Sequence, residues 1–244
     1  MDDSQNVAGR RRSETSWAGA AKRRASAARK TRKSAEALAI QQALARQPLR
    51  PLARRDFPPD TAAFAGYLLG KLVVREFGAD RITGRIVETE AYVIGDPAGH
   101  AFRGETPRNR SLFLEPGHAY VYFAYGTSWM LNVSSEPAGI GAGVLIRALE
   151  PLEGIALMQE GRGTTNLLDL ARGPGRLAAA LRIGPELDGI DLCAPGPLWL
   201  AEDGARRFEI GASTRIGIAR AADRVLRFYL RGSPYVSGPK RLNL

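Results

Sequence analysis

The sequence predicts a mixed α/β (α+β) fold: a single domain with a curved, largely antiparallel sheet flanked by helices, preceded by a disordered basic tail. Three observations predict it. Most candidate strands are joined by connections too short to hold a crossover helix, so neighbours must run antiparallel. Only a few segments carry both helix start and stop signals. The positive charge is gathered at one end: residues 1–50 hold 12 Lys and Arg against 4 Asp and Glu, whereas the 244-residue chain as a whole has 35 basic and 25 acidic residues, a net of +10.

The tail is assigned to residues 1–53 and the folded domain to residues 54–244. Residues 18–44 are rich in Ala, Arg, Lys and Ser, with basic clusters such as Arg10-Arg11-Arg12 and Lys22-Arg23-Arg24 nearby. Such a stretch buries too little apolar surface to offset its ordering entropy. Residues 34–46 have the composition of a transient helix. A polycationic arm that binds phosphate backbones and a solvating extension without a specific role fit this composition about equally. Asp2, Asp3 and Glu14 argue against a mitochondrial transit peptide, because such peptides avoid acids.

The remaining 190 or so residues suit one core. Residues 50–59 are rich in Pro and Arg and read as a linker. Asp60 caps a helix over 61–69, with Phe64, Tyr67 and Leu68 as its apolar side and Gly70 as its stop. Residues 72–77 and 82–92 read as paired strands. Residues 95–117 carry seven Gly and Pro and no sustained period, the mark of a long loop with a function. Strands follow at 119–125, 129–134 and 144–149, the last ended by Pro151. A helix is expected from Leu152 to about Gly161 and another from Pro174 to Leu181. Late strands are expected at 198–201, 208–210, 215–219 and 226–230.

The segment Ile86-Val87-Glu88-Thr89-Glu90-Ala91-Tyr92 carries the most chemistry. Period-2 alternation puts Glu88, Glu90 and Tyr92 on one face and Val87, Thr89 and Ala91 on the other. A general base beside a stacking surface would explain that face; so would the solvated side of an edge strand.

Several sites are excluded. Gly66-Tyr67-Leu68-Leu69-Gly70-Lys71 is one residue short of a P-loop and lacks the Ser or Thr after Lys. No dinucleotide fingerprint follows a strand. The two histidines, His100 and His118, stand in no zinc-hydrolase or zinc-deaminase pattern, and Cys193 is the only cysteine, so neither a metal cluster nor an internal disulfide is expected. No run of about 18 apolar residues is present, so no membrane span is expected. What remains is carboxylate chemistry beside aromatics: Glu88, Glu90 and Tyr92; His100; Tyr120, Tyr122 and Tyr125; Asn132; and Arg147. Each has an ordinary structural reading, such as Arg147 pairing with Glu150. Together they suit one reaction, in which aromatics sandwich a flat, electron-poor ring and a carboxylate activates water against a sugar carbon.

At these residues the chain resembles the alkyladenine (3-methyladenine) DNA glycosylases, monofunctional repair enzymes that excise alkylated purines. The resemblance runs in order from about residue 55 to the C-terminus. It rests on blocks such as Glu88-Thr89-Glu90-Ala91-Tyr92, Thr106-Pro107-Arg108-Asn109-Arg110, His118-Ala119-Tyr120-Val121-Tyr122, Val144-Leu145-Ile146-Arg147-Ala148-Leu149-Glu150-Pro151, Gly173-Pro174-Gly175-Arg176-Leu177 and Arg227-Phe228-Tyr229.

The resemblance implies a role for each position. Glu90 rather than Glu88 is the general base, with Arg147 beside the water and the abasic-site phosphate. Tyr92 and His100 form one wall of the base pocket and Tyr122 the other. Asn132 rejects the exocyclic amino group of guanine. Tyr125 wedges into the duplex, and Arg108, Asn109 and Arg110 meet the DNA backbone. No metal or cofactor is implied. The implied partner is double-stranded DNA containing damaged purines, bound by a monomer, in a bacterial cytoplasm at the nucleoid or in a eukaryotic nucleus. The sequence departs from the family pattern at Leu112, Tyr235 and the short Tyr92-to-His100 loop, which leaves the range of damaged bases open. A non-catalytic basic nucleic-acid-binding protein and a hydrolase of free nucleosides are the rival readings.

Overall fold

In a computed structural model, which describes residues 49–124, 126–204 and 208–243, nine strands join into one sheet in which every pairing is antiparallel. They are β1 (Arg50–Pro51), β2 (Leu72–Phe77), β3 (Asp80–Tyr92), β4 (Ala119–Ala124), β5 (Ser128–Ser134), β6 (Gly143–Glu153), β7 (Leu198–Glu202), β8 (Ile210–Ser213) and β9 (Arg227–Leu230). The order is β1-β7-β2-β3-β6-β5-β4, with β9 pairing both β3 and β8. Three α-helices among the described residues, α1 (Thr61–Leu68), α2 (Ile155–Arg162) and α3 (Pro174–Ala180), pack on the sheet through Phe64, Met158 and Leu177, all fully buried. The predicted mixed α/β architecture with its antiparallel sheet is the one observed. Residues 1–48 of the expected tail, with its transient helix, lie outside the described residues.

β3 is the spine. It runs alongside β6 for most of its length, pairs β2 over Asp80–Arg85 and pairs β9 over Glu88–Glu90. β3 is flanked on both sides and Val87 through Ala91 are all fully buried, so the reading of residues 86–92 as the solvated side of an edge strand is overturned.

The period-2 pattern on β3 is broken once, with a consequence for the site. Ile82 and Ile86 sit in the main apolar core, and so does Val87, of the opposite parity. Opposite Leu149 and Ala148 stand Ile86 and Glu88, leaving Val87 without a partner; opposite Glu88 and Thr89 stand Ala148 and Ile146, leaving Arg147 without one. Two bulges, one on each strand, thus cancel in register. A bulge re-aims the side chains beyond it. Here it turns Glu88 and Glu90 out of the apolar core and turns Arg147 toward them.

α1 forms as predicted. The Asp60 carboxylate accepts a hydrogen bond from the Ala63 amide at 2.8 Å, satisfying one of the orphan donors of the first turn. Gly70, two residues past the helix, takes a left-handed φ of +81° that a side chain would strain. Asp60→Ala should therefore lower the unfolding free energy by about 1 kcal/mol, read as a lower urea midpoint at unchanged m.

Elsewhere the sequence reading needs correction. Residues 50–59 are not a free linker: Arg50–Pro51 pair with β7, Leu52 enters the core, and Arg54 donates to the Pro116 carbonyl at 2.6 Å and to Asp191 at 2.9 Å. β6 runs through Pro151 to Glu153, because Pro151 falls beside a register shift where the ladder needs no donor from it. α2 consequently starts at Ile155 rather than Leu152, with Gly154 and Gly163 at its ends. The strand expected at 208–210 is displaced to Ile210–Ser213, and residues 215–219 form no strand. No helix among the described residues is long and apolar enough to cross a membrane.

Candidate active site

Four adjacent strands deliver the candidate residues in one row. Glu90 on β3 stands opposite Leu145 on β6, which stands opposite Asn132 on β5, which stands opposite Tyr120 on β4. Directly opposed residues of an antiparallel pair share a face. The next row begins with Tyr92 opposite Gly143. A Cβ on Gly143 would lie 2.7 Å from Leu112 Cδ2 and 3.0 Å from the Val133 carbonyl oxygen, so glycine leaves room for Leu112 to pack over the strand.

Around Glu90 lies a buried charge network. Arg147 donates through Nε to Glu88 Oε1 at 2.9 Å, and its Nη1 lies 3.1 Å from Glu90 Oε2. The structural reading in which Arg147 pairs with Glu150 therefore fails; Glu150 lies 3.7 Å from Arg85 instead. Glu90 also accepts from the Ile216 amide at 2.7 Å and from the Tyr92 hydroxyl at 3.1 Å. Glu88 accepts from Arg227 Nε at 2.7 Å and from the Ser237 amide at 2.7 Å.

Both carboxylates are wholly buried, yet their environments separate them. Burial drives Glu90 upward, and Arg147, the Ile216 amide and Tyr92 only partly oppose it, so its carboxyl sits above the ordinary range. Burial also pushes Glu88 up, but Arg147, Arg227 and the Ser237 amide more than reverse it, so Glu88 sits below that range. Two neighbouring acids pushed apart in this way make Glu90 the more basic of the two carboxylates. The two carboxylates outweigh the effect of burial on Arg147 and raise its pKa further.

Beside the network opens a cavity of about 100 Å³ lined by aromatic rings. Tyr92, His100, Tyr120 and Tyr122 contribute to its wall, with Asn132 and Leu112 beside them. The His100 and Tyr122 rings are 4.4 Å apart edge to face, and Tyr120 and Tyr122 stack at 5.3 Å. His100 Nδ1 lies 2.8 Å from the Tyr120 hydroxyl. Partial burial, then the nearby Arg108 charge, hold the His100 imidazole below its usual pKa. Burial, with Tyr122 adding, raises the Tyr120 phenol; burial, with Glu90 adding, raises that of Tyr92. Glu90 is not part of the lining. It sits behind Tyr92, whose ring faces the cavity and whose hydroxyl points to the carboxylate.

The loop over residues 93–118 is ordered by Asn109. Its side-chain oxygen accepts from the Thr106 amide at 2.6 Å, and its nitrogen donates to the carbonyls of His100 and Gly104 at 2.9 and 3.0 Å. Asn109 is buried, so its side chain faces the loop rather than an outside partner. Arg108 and Arg110 are exposed, and Arg108 donates to the Phe123 carbonyl at 3.1 Å, tying the loop to the end of β4. Asn132 is buried and donates to the Tyr120 carbonyl at 3.2 Å. Tyr125 lies outside the described residues.

Four contributors had no role assigned from the sequence. The Ile216 amide reaches Glu90 from a segment read as a strand, and a backbone donor has no side-chain signature. Asp96 and Arg215 form a fully buried ion pair, with the Arg215 guanidinium 4.7 Å from the centre of the Tyr92 ring. Arg227 was visible only as part of a block, Arg227-Phe228-Tyr229, without an assigned role.

The comparisons with known proteins converge. Residues 55–234 match the family described as methylpurine-DNA glycosylase. A protein of Mesorhizobium japonicum named "Putative 3-methyladenine DNA glycosylase" is 69% identical over 192 residues, covering 79% of this chain and 92% of the relative. Proteins of the same printed name from Paraburkholderia phytofirmans (49% over 195 residues; 80% of this chain, 92% of the relative) and Methanoculleus marisnigri (48% over 184 residues; 73% and 94%) match similarly. With the family matched over most of the chain and relatives this similar over nearly their whole length, the chain belongs to the methylpurine-DNA glycosylase family, DNA-repair hydrolases that act on N-glycosyl bonds.

Proposed function

We propose that this protein flips alkylated or deaminated purines out of duplex DNA and hydrolyses their N-glycosidic bond with a water activated by Glu90. The observation that carries the reading is the pairing of a buried carboxylate of raised pKa with an aromatic cavity, joined through the Tyr92 hydroxyl. A raised pKa makes Glu90 a better proton acceptor than an ordinary carboxylate. Its negative charge, oriented by Arg147 and the Ile216 amide, also stabilises the oxocarbenium-like transition state.

An alkylated purine carries positive charge, so the leaving group needs little help. Tyr92, His100 and Tyr122 stack on it, and cation–π attraction favours the charged base. A neutral His100 adds no repulsion, which fits its lowered pKa. Asn132, its amide held by the Tyr120 carbonyl, rejects the exocyclic amino group of guanine. Tyr125, at the end of the β4 sequence, fills the gap left by the flipped nucleotide. Arg108 and Arg110 neutralise backbone phosphates, with Asn109 keeping their loop in shape. No lysine is found in the cavity wall among the described residues, which favours hydrolysis without strand-cleaving lyase chemistry. The protein acts as a monomer.

The test is a single-turnover assay of the full chain on duplexes carrying 3-methyladenine, hypoxanthine or ethenoadenine. Alkali-labile sites should form on at least one. A non-catalytic DNA binder would produce none, and a nucleoside hydrolase would release base from free nucleosides as readily. Tyr122→Ala should weaken binding to the lesion duplex by about 1–3 kcal/mol, the usual worth of one stacked base, while undamaged-duplex affinity holds. Equal loss on both duplexes would remove Tyr122 from the base pocket.

A further inference from the structure

The charge network behind the cavity contains two residues that the proposed reaction does not use, Glu88 and Arg227. We infer that they are positioning residues whose paired charges divide Arg147 between the two carboxylates and thereby set the pH at which Glu90 becomes a base. The inference rests on the reading of Glu90 as the base.

The geometry is asymmetric. Arg227 is fully buried and all five of its N–H directions are used: Nε to Glu88, Nη1 to Ser213 Oγ and the Leu242 carbonyl, Nη2 to the Ser237 carbonyl and Asn243 Oδ1, at 2.7–3.1 Å. An arginine so completely engaged is fixed, and it draws residues 237–243 behind the carboxylates. Arg147 instead reaches both acids, Glu88 through Nε and Glu90 through Nη1, from a bulge with no ladder partner. Arg147 is the shared cation and Arg227 the anchored one.

Charge balance follows. Around Glu90 stand Glu88 and Tyr92 on its own strand, Arg147 on β6, Arg227 on β9, and Arg215 with Asp96 beyond the Tyr92 ring. The ion pair Arg215–Asp96 is internally neutral. Glu88, Glu90, Arg147 and Arg227 together are neutral only while Glu90 is ionised. Without Arg227, Glu88 must rely on Arg147 alone, the site carries a buried net negative charge, and Glu90 takes up a proton at a higher pH. Without the Glu88 charge, Arg147 belongs to Glu90, which then stays ionised to a lower pH.

The experiment uses the full chain. Single-turnover excision of an N-alkylated purine from duplex DNA is followed across pH, and the Glu90 carboxyl is titrated by 13C NMR, its signal assigned with Glu90→Gln. Arg227→Gln should move the acid limb up, and Glu88→Gln should move it down, each by about one pH unit or more. The double variant Glu88→Gln/Arg227→Gln restores neutrality and should return the limb to near the wild-type position. Arg227→Lys, which keeps the charge and loses the fork, should leave the limb in place even where stability falls, and it carries the test together with Glu88→Gln if Arg227→Gln does not fold. A limb and a carboxyl titration that stay put in Glu88→Gln, that stay put in a folded Arg227→Gln, that move in the same direction in those two variants, or that shift in Arg227→Lys as far as Arg227→Gln was expected to shift them, would overturn the inference. Retained excision by Glu90→Gln would instead remove the base assignment while leaving the NMR shifts standing.

Discussion

Glu90→Gln should lose excision by about 10²–10⁴-fold, the range a positioned general base contributes, while binding to a lesion-containing duplex stays within a few-fold of wild type. Glutamine keeps the shape of the side chain and its acceptor toward the Ile216 amide, but cannot take a proton from water. The fold should survive, because burial already disfavours the charged form of this residue and Arg147 keeps Glu88 as a partner. The sign of the pH dependence follows from the same raised pKa: wild-type activity falls as pH drops through it, since the protonated acid is no base. Single-turnover rates, with a melting curve as control, decide the matter. A variant that excised at near wild-type rate would sink the assignment.

Arg215→Met should be the most destabilising single change near the site, costing about 3–5 kcal/mol. Arg215 and Asp96 have no exposed side-chain surface, and the guanidinium also donates to the Ala91 carbonyl at 3.0 Å. Removing it strands the Asp96 carboxylate in the interior without a counter-charge. For a domain of this size the melting temperature should fall by roughly 2–4 °C per kcal/mol. Exchanging both partners, Asp96→Asn with Arg215→Met, should recover a large part of that loss, because no uncompensated charge then remains. An Arg215→Met protein melting with wild type would show that the pair contributes nothing. Excision should fall as well, since Arg215 lies over the Tyr92 ring and the next residue supplies the amide that orients Glu90.

Much of the fold was legible because its signals are local. The Asp60 cap, the Gly70 stop and the Pro174 start mark α1 and α3 to within a residue, and β2, β4 and β5 follow from short apolar alternations between turn residues. Pro151 misled because a proline ends a strand only where the ladder requires its N–H, which depends on the neighbouring strand. The segment 215–219 misled because apolar alternation alone does not distinguish a paired strand from a loop folded over a neighbour. The linker at 50–59 misled because its composition is that of a surface segment, while Leu52 finds a place in the core and Arg54 finds acidic partners far along the chain.

By itself the sequence determined which chemistry was available. It set carboxylates, aromatics, an amide and an arginine at the spacings of one known family, and it put Glu88, Glu90 and Tyr92 on a common face. Tertiary structure decided how those groups differ. Two cancelling bulges, at Val87 and Arg147, turn both acids from the core and bring the arginine between them. Arg227 then belongs to Glu88, and the Ile216 amide and Tyr92 to Glu90. A carboxylate's proton affinity is set by burial and by the charges within a few ångströms, and those come from strands 59 and 139 residues away in the chain. That is why the pKa values of two glutamates two residues apart are shifted in opposite directions, and why no reading of the strand alone could separate them on physical grounds.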